Sequence, residues 1–417
     1  MPQGADPNRY PPNELEDPPL HKAVANGNLD ILRLLLAYNT RVDTKTSTGD
    51  TALGWVTDKT PVSMVKLLVG RGLSIHTVDK DNYTPLWNAV KVGNVEVAKY
   101  YIAQGASINA RIRLVGSVLH TACKDTTHGL GMVKLLVENG GDINSDHGNM
   151  NITGTPFQSA CLRGSASGDE SELPERDAIV RYILDHPKFN PSQGSTWWGS
   201  NLSVAVFTLG LDIVKELVER GVDTESEDKA GRRAIHLALY RTIPYVDYLL
   251  EHKADLYKPD GIGRGPLHIA VLSGRLDLVR YILDKREDLV HHRDVDGWTP
   301  LLWVMRASDR WEWREGKDRL AVVEELIKRG ASRLIQGEGL DRTWTAYRLA
   351  RYHGLDDDIV KLVTPTEEEL ASLDKKERGA WLYSIQNDTK KARSRSGTGA
   401  YCDVCMLVCQ PCSTAMG

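Results

Sequence analysis

Apolar side chains return along this chain in one six-residue grouping, apolar at i, i+1, i+3, i+4 and i+5 and polar at i+2. It reads Ile31-Leu-Arg-Leu-Leu-Leu36, Met64-Val-Lys-Leu-Leu-Val69, Met132-Val-Lys-Leu-Leu-Val137 and Leu278-Val-Arg-Tyr-Ile-Leu283, with looser copies between them and a last one at Ile359-Val-Lys-Leu-Val363. Such a segment predicts a helix that is apolar on most sides and wet along one stripe, which needs neighbours to cover it. Ahead of each copy lies a shorter apolar element, whose leucine-like residue falls at Leu20, Leu53, Leu86, Leu119, Phe157, Leu202, Ile235, Leu267, Leu301 and Tyr347. The first four of these positions are 33 residues apart, and the phase persists through the series. A period of that length with two apolar segments per unit predicts stacked helix pairs. None buries its own surface, and all share one continuous core.

The punctuation between segments agrees with the period. Thr84-Pro85 and Thr299-Pro300 set a capping hydroxyl ahead of a proline at the first helical position, where the missing N–H leaves nothing unsatisfied. Gly27, Gly93, Gly274 and Gly354 fall between the paired helices, and Gly105, Gly140, Gly221 and Gly330 follow second helices, as expected of residues that end a helix with φ above zero.

Pro19-Leu-His-Lys-Ala23 and Pro266-Leu-His-Ile-Ala270, set in this period, resemble the ankyrin-repeat family. The resemblance runs from about residue 16 to 363 and implies an all-α solenoid of ten helix-turn-helix units with short β-hairpin fingers. Units five and nine depart from it through insertions at 164–176 and 308–318. The resemblance also implies that His21, His120, His236 and His268 are structural, bonding adjacent hairpins, and that fingertips and first helices form a concave face for a protein partner.

The fingertip position, three residues before the leucine-like one, reads Asp17, Asp50, Tyr83, Gly116, Gly154, Gly199, Arg232, Arg264, Trp298 and Trp344. Its chemistry varies while the core positions stay apolar. Tyr83, Trp298 and Trp344, with Trp87 on an adjoining first helix, are the candidate aromatic contacts; Arg111, Arg113, Arg232, Arg233 and Arg264 are the candidate guanidinium contacts. Acting as a set, those arginines make an acidic protein segment the simplest partner. Trp197-Trp198 and the Trp311, Trp313 pair lie outside the apolar pattern, either folded over the groove or serving as contacts.

Composition narrows the alternatives. A net charge of −4 gives no chain-wide basic field, so direct nucleic-acid binding is not expected. The first fifteen residues are polar and proline-rich and read as disordered, and no stretch approaches membrane-spanning length. With cysteines absent from most of the chain, a cytoplasmic or nuclear setting is expected. Residues 364–388 predict a capping helix with Glu367, Glu368 and Glu369 in its first turn, and 389–417 a basic linker and cysteine-rich tail.

Cys402, Cys405, Cys409 and Cys412 form two Cys-x-x-Cys knuckles, and Tyr401-Cys-Asp-Val-Cys405 resembles the opening of a ZZ-type zinc finger. Only three residues separate the knuckles, so one zinc held by four thiolates and an inert tail both stay open. No other cofactor is expected. The chain shows no nucleophile elbow, phosphate loop or His-Glu-x-x-His, so an enzyme is not expected. The leading reading is a protein–protein interaction scaffold or adaptor; a transcriptional co-regulator comes next, and an enzyme using the groove last.

Overall fold

The computed structural model describes residue 8 and residues 17–112, 115–124, 129–146, 154–163, 173–195, 198–306, 318–338 and 343–387. The chain divides into two compact units at Asn201. The first holds the pairs Pro19–Ala25 with Leu29–Ala37, a short 3-10 helix Ala52–Trp55 with Val62–Gly70, Pro85–Lys91 with Val95–Ala103, Val118–Lys124 with Leu130–Glu138, and Pro156–Cys161 with Leu173–Leu184. The second begins one residue into the helix Asn201–Thr208, which pairs with Leu211–Glu219, and holds Ala234–Ala238 with Ile243–Glu251, Pro266–Ser273 with Leu276–Lys285, Pro300–Arg306 with Arg319–Lys328, and Ala346–His353 with Asp357–Val363, followed by Glu367–Ala371 and Lys375–Asn387. These pairs are numbered repeats 1 to 10 in chain order. Strands among the described residues are two short antiparallel hairpins, Gly194–Ser195 with Gly199–Ser200 and Gln336–Glu338 with Thr343–Thr345. The all-α class holds, and among the described residues fingers 3, 7, 8 and 9 are closed turns rather than β-hairpins.

The second helices bury a narrower face than their apolar residues suggest. Met132, Val133 and Leu136 are at most 1% exposed, whereas Leu135, at i+3, is half-buried and Leu34, its counterpart in repeat 1, is 45% exposed. At 3.6 residues per turn, i, i+4 and i+1 fall within one arc of about 100° and i+3 lies about 60° beyond its edge. In five repeats the i+3 residue meets the polar i+2 residue of the preceding repeat. Lys66 lies over the Tyr100 ring at 5.7 Å, Lys134 over Tyr182 at 5.6 Å and Lys215 over Tyr248 at 5.4 Å. The Tyr281 hydroxyl donates to Asp247, and Arg280 pairs with Glu325 at 3.0 Å. Cation–π contacts of this exposed kind contribute about 0.5–1 kcal/mol each.

First helices are tied to the next finger by the repeat histidines. His120, His236 and His268 stand third in their helices, where Nδ1 accepts the N–H of Ser117 at 3.0 Å, Arg233 at 2.9 Å and Gly265 at 3.2 Å. On the far side, Nε2 donates to the carbonyls of Ser145, Lys258 and Trp298 at 3.2, 3.0 and 2.9 Å. His21 reaches the Asp50 carbonyl in the same way at 3.1 Å. An imidazole that accepts on one nitrogen and donates from the other is neutral, with its proton on Nε2. Burial favours that form, lowering His21 and His236 and bringing His268 down to about 4. In repeat 5, Gln158 takes over: its Oε1 accepts from Thr155 N–H and its Nε2 donates to the Gly199 carbonyl, both at 3.0 Å.

Two outcomes follow. Leu136→Ala lowers stability by roughly 3 kcal/mol in urea unfolding, and Leu135→Ala by about 1 kcal/mol or less, since only the first opens a cavity in the core; equal losses would contradict the burial pattern. Unfolded histidine takes up its proton near pH 6.5, while folded His268 resists until about 4. The contribution of His268 to stability is therefore complete above pH 6.5 and is lost as pH falls from 6.5 to 4. His268→Gln, copying Gln158, keeps both bonds and removes roughly one proton from the uptake on unfolding at pH 5. An unchanged slope of stability against pH would count against the neutral bridge.

Candidate functional site

Fingers 3, 7, 8 and 9 are built on one turn: Asp79-Lys-Asp-Asn-Tyr83, Asp228-Lys-Ala-Gly-Arg232, Asp260-Gly-Ile-Gly-Arg264 and Asp294-Val-Asp-Gly-Trp298. The fourth residue has φ of 66°, 69°, 82° and 75° respectively, a region open to glycine and tolerated by asparagine. In each, the aspartate Oδ1 accepts the N–H groups of the third and fifth residues, so the side chain holds the turn closed. Successive fingers are stitched by the second residue's N–H: Lys80 donates to Thr48, Gly261 to Ala230 and Val295 to Ile262, at 3.1, 2.9 and 3.1 Å.

This turn leaves one carboxylate oxygen to spare. In finger 7, Arg232 spends its guanidinium on Asp228 Oδ2, at 2.8 and 2.7 Å, and in finger 8 Arg264 does the same to Asp260, at 2.8 Å through both nitrogens. Both arginines are nearly buried, 5% and 4% exposed. Arg233 is buried as well, beside Glu225 and Glu227, and donates to the Pro259 carbonyl at 3.2 Å. The carboxylates that the sequence would have these three arginines take from a partner are supplied by their own neighbourhood.

Trp298 serves the stack too. It is 7% exposed, and its indole N–H donates to the Glu338 carbonyl of the next finger at 2.7 Å. Trp303 gives its indole N–H to Asp294 Oδ2 at 2.7 Å, and Arg264 and Arg306 lie over the Trp303 ring at 5.1 and 5.0 Å. Trp298 therefore covers its neighbour's finger, a correction to its reading as a free groove aromatic.

Tyr83 and Trp87, in the first unit, are arranged differently. Their rings stack at 4.0 Å with 28° between planes, and both stay half-buried. They border a cleft of about 220 Å³ whose other walls come from Asp50, Thr51, Gly54, Thr77, Val78, Asp79 and Asn88. The cleft has a cause in the sequence. Gly54 and Trp87 hold the place in repeats 2 and 3 that His21 and His268 hold in theirs, directly after the leucine-like residue. No side chain leaves Gly54 to cross toward finger 3, and Trp87 turns its indole N–H to Thr121 Oγ1 at 2.9 Å. Val78 is 44% exposed on the cleft wall. Burial, then Asp81 and Asp79, push the Tyr83 hydroxyl above its ordinary range, against an opposing effect of Lys91.

Of the other candidates, Arg111 is exposed beside the Ile112–Gly116 bridge. Trp344 is half-buried on a strand and meets Tyr352 edge to face at 5.2 Å. The Trp198 ring lies close to Gly154. Arg113, Trp197, Trp311, Trp313, Cys402, Cys405, Cys409 and Cys412 lie outside the described residues. Among the described residues no helix is long and apolar enough to cross a membrane. Sequence reasoning named Asp50 only as a fingertip and passed over Gly54, Asp79 and Val78. The glycine at position 54, which brings no side chain to the place that His21 and His268 hold, was the signal that could have found them.

Trp298→Ala is expected to lower stability by roughly 3 kcal/mol or more, and Trp298→Phe by about 1–2 kcal/mol through the lost bond to Glu338. Thermal and urea unfolding measure both, and an unchanged melting temperature for the alanine variant would return Trp298 to the groove.

Comparison with known proteins gives a consistent picture. A family model described as ankyrin repeats in three copies matches residues 3–79, 20–112, 54–147 and 202–293. The chain is 27% identical over 172 residues to the ankyrin repeat domain-containing protein SAT10 of Stachybotrys chartarum, a match covering 36% of this chain and 8% of that one. It is 28% identical over 191 residues to the ankyrin repeat protein nuc-2 of Neurospora crassa, covering 40% and 18%. The chain thus spans only a small part of these relatives. The ankyrin repeat domain of human ASB11 aligns with a TM-score of 0.46 and 22% identity over 57% of this chain and 98% of that domain. With the family model matched over more than half of its length, the chain belongs to the ankyrin-repeat family.

Proposed function

We propose that this chain is a protein-binding module and that the cleft between fingers 2 and 3 anchors its partner. Ankyrin repeats bind other proteins in general, and here one observation supports the place. The stacked Tyr83 and Trp87 rings border an open cleft, with Val78 exposed on its wall, while Arg232, Arg264 and Trp298 are committed to internal partners. Half-buried aromatics around a recess are the residues that dominate interface energetics. A stable interface needs about 800 Å² from each partner, so the cleft serves as the anchor of a wider contact along neighbouring fingers. The scaffold or adaptor role follows from this reading. Transcriptional co-regulation and zinc rest on the tail, outside the described residues.

The test is capture of partners from cells that make the protein, using the full chain and a Val78→Ser, Tyr83→Ala double variant. Both changes lie at partly exposed positions and leave the turn bonds of Asp79 in place. Proteins held by the wild type are expected to bind the variant at least about tenfold more weakly, with the melting temperature nearly unchanged. Retention of every captured protein by the variant would remove the cleft as the anchor, and capture of none by the wild type would remove the protein-binding reading.

A further inference from the structure

The finger turn contains its own control experiment. In fingers 7, 8 and 9, the spare carboxylate oxygen is taken by Arg232, Arg264 and the Trp303 indole. At finger 3, Asp79 Oδ1 closes the turn as elsewhere, but the residue four places on is Tyr83 instead of arginine. Among the described residues no donor reaches Asp79 Oδ2. That aspartate lines the cleft together with Tyr83, Trp87 and Asp50. Asp50 spends one carboxylate oxygen on the Thr48 hydroxyl, at 2.6 Å.

We propose that this cleft receives an arginine side chain of the partner protein, its guanidinium paired with Asp79 and lying against Tyr83 and Trp87. The inference rests on the cleft being the partner's anchor and names the chemistry it takes. The chain shows the same combination internally: Arg264 pairs with an aspartate of this turn while lying over the Trp303 ring. Arginine suits the place better than lysine, because a planar fork can pair with a carboxylate and stack on a ring at once. A volume of about 220 Å³ is below the roughly 300–1,000 Å³ of small-molecule pockets and fits one long side chain. Asp50 and Asp79 on the walls repel an acidic segment, so the partner expected from the surface arginines does not dock here.

The experiment is an NMR titration of the full chain carrying ¹⁵N-tryptophan, with the Trp87 indole signal assigned through Trp87→Phe. The probes are acetyl-Gly-Arg-Gly-amide and its citrulline, lysine and glutamate counterparts. The arginine peptide is expected to shift the Trp87 signal saturably in the millimolar range. Citrulline, which keeps the shape without the charge, should bind at least tenfold more weakly, lysine more weakly than arginine, and glutamate not at all. Asp79→Asn keeps the Oδ1 cap, so it should preserve melting while reducing arginine binding to the citrulline level. Tyr83→Arg supplies the guanidinium from within, as in fingers 7 and 8, and should abolish peptide binding without loss of stability. An unsaturable Trp87 shift, or equal binding of arginine and citrulline, would overturn the proposal. If captured partners are lost with the Val78→Ser, Tyr83→Ala variant but bind Asp79→Asn normally, the anchor stands and the arginine fails.

Discussion

The stacking depends on a buried ring that must stay uncharged. In repeats 4, 7 and 8, one histidine accepts the N–H at the start of its own helix and donates to the carbonyl of the next finger. That single side chain fixes the entry of one helix and the position of the neighbouring turn. Both bonds are short of water, so losing either strands a backbone group whose desolvation costs about 1–3 kcal/mol. Gln158 shows that the requirement is for an acceptor and a donor at fixed reach rather than for an imidazole.

In repeats 2 and 3, where this tie is missing, the structure opens. Gly54 brings no side chain to the bridging place and Trp87 directs its donor elsewhere, and the gap beside them is the cleft. The site is thus an interruption of the scaffold's own regularity. The scaffold's rule for aspartate in the finger turn stays intact across that interruption, and the carboxylate oxygen it leaves over gives the cleft its polarity.

Much of the fold was legible in the sequence because it repeats. Near-33-residue spacing, capping threonines and the histidine at the bridging place of four repeats each report a local requirement, and their recurrence in one phase makes the requirement legible. The site was legible only in part. Tyr83 and Trp87 could be picked out, but Arg232 and Arg264 look the same in sequence whether they face a partner or fold back onto an aspartate four residues earlier. Trp298 misled for a related reason: its indole partner is the Glu338 carbonyl, 40 residues away, and a backbone acceptor leaves no mark in the sequence. The i+3 residues of second helices read as core because leucine and tyrosine are apolar, although helix geometry turns them toward the edge of the buried arc.

The contacts along those edges are directional. At five junctions the i+2 residue of one repeat addresses the i+3 residue of the following one, as lysine on tyrosine, aspartate on a tyrosine hydroxyl, or arginine on glutamate. Repeats are therefore not interchangeable beads. A recombination event that set repeat 9 behind repeat 7 would bring Glu325 against Asp247, two like charges where the present order has a hydrogen bond. A duplication of repeat 8 would place Arg280 beside a second copy of Tyr281, which the same code accepts. The outer edge constrains which rearrangements of this gene yield a stable array, independently of the apolar core within each unit.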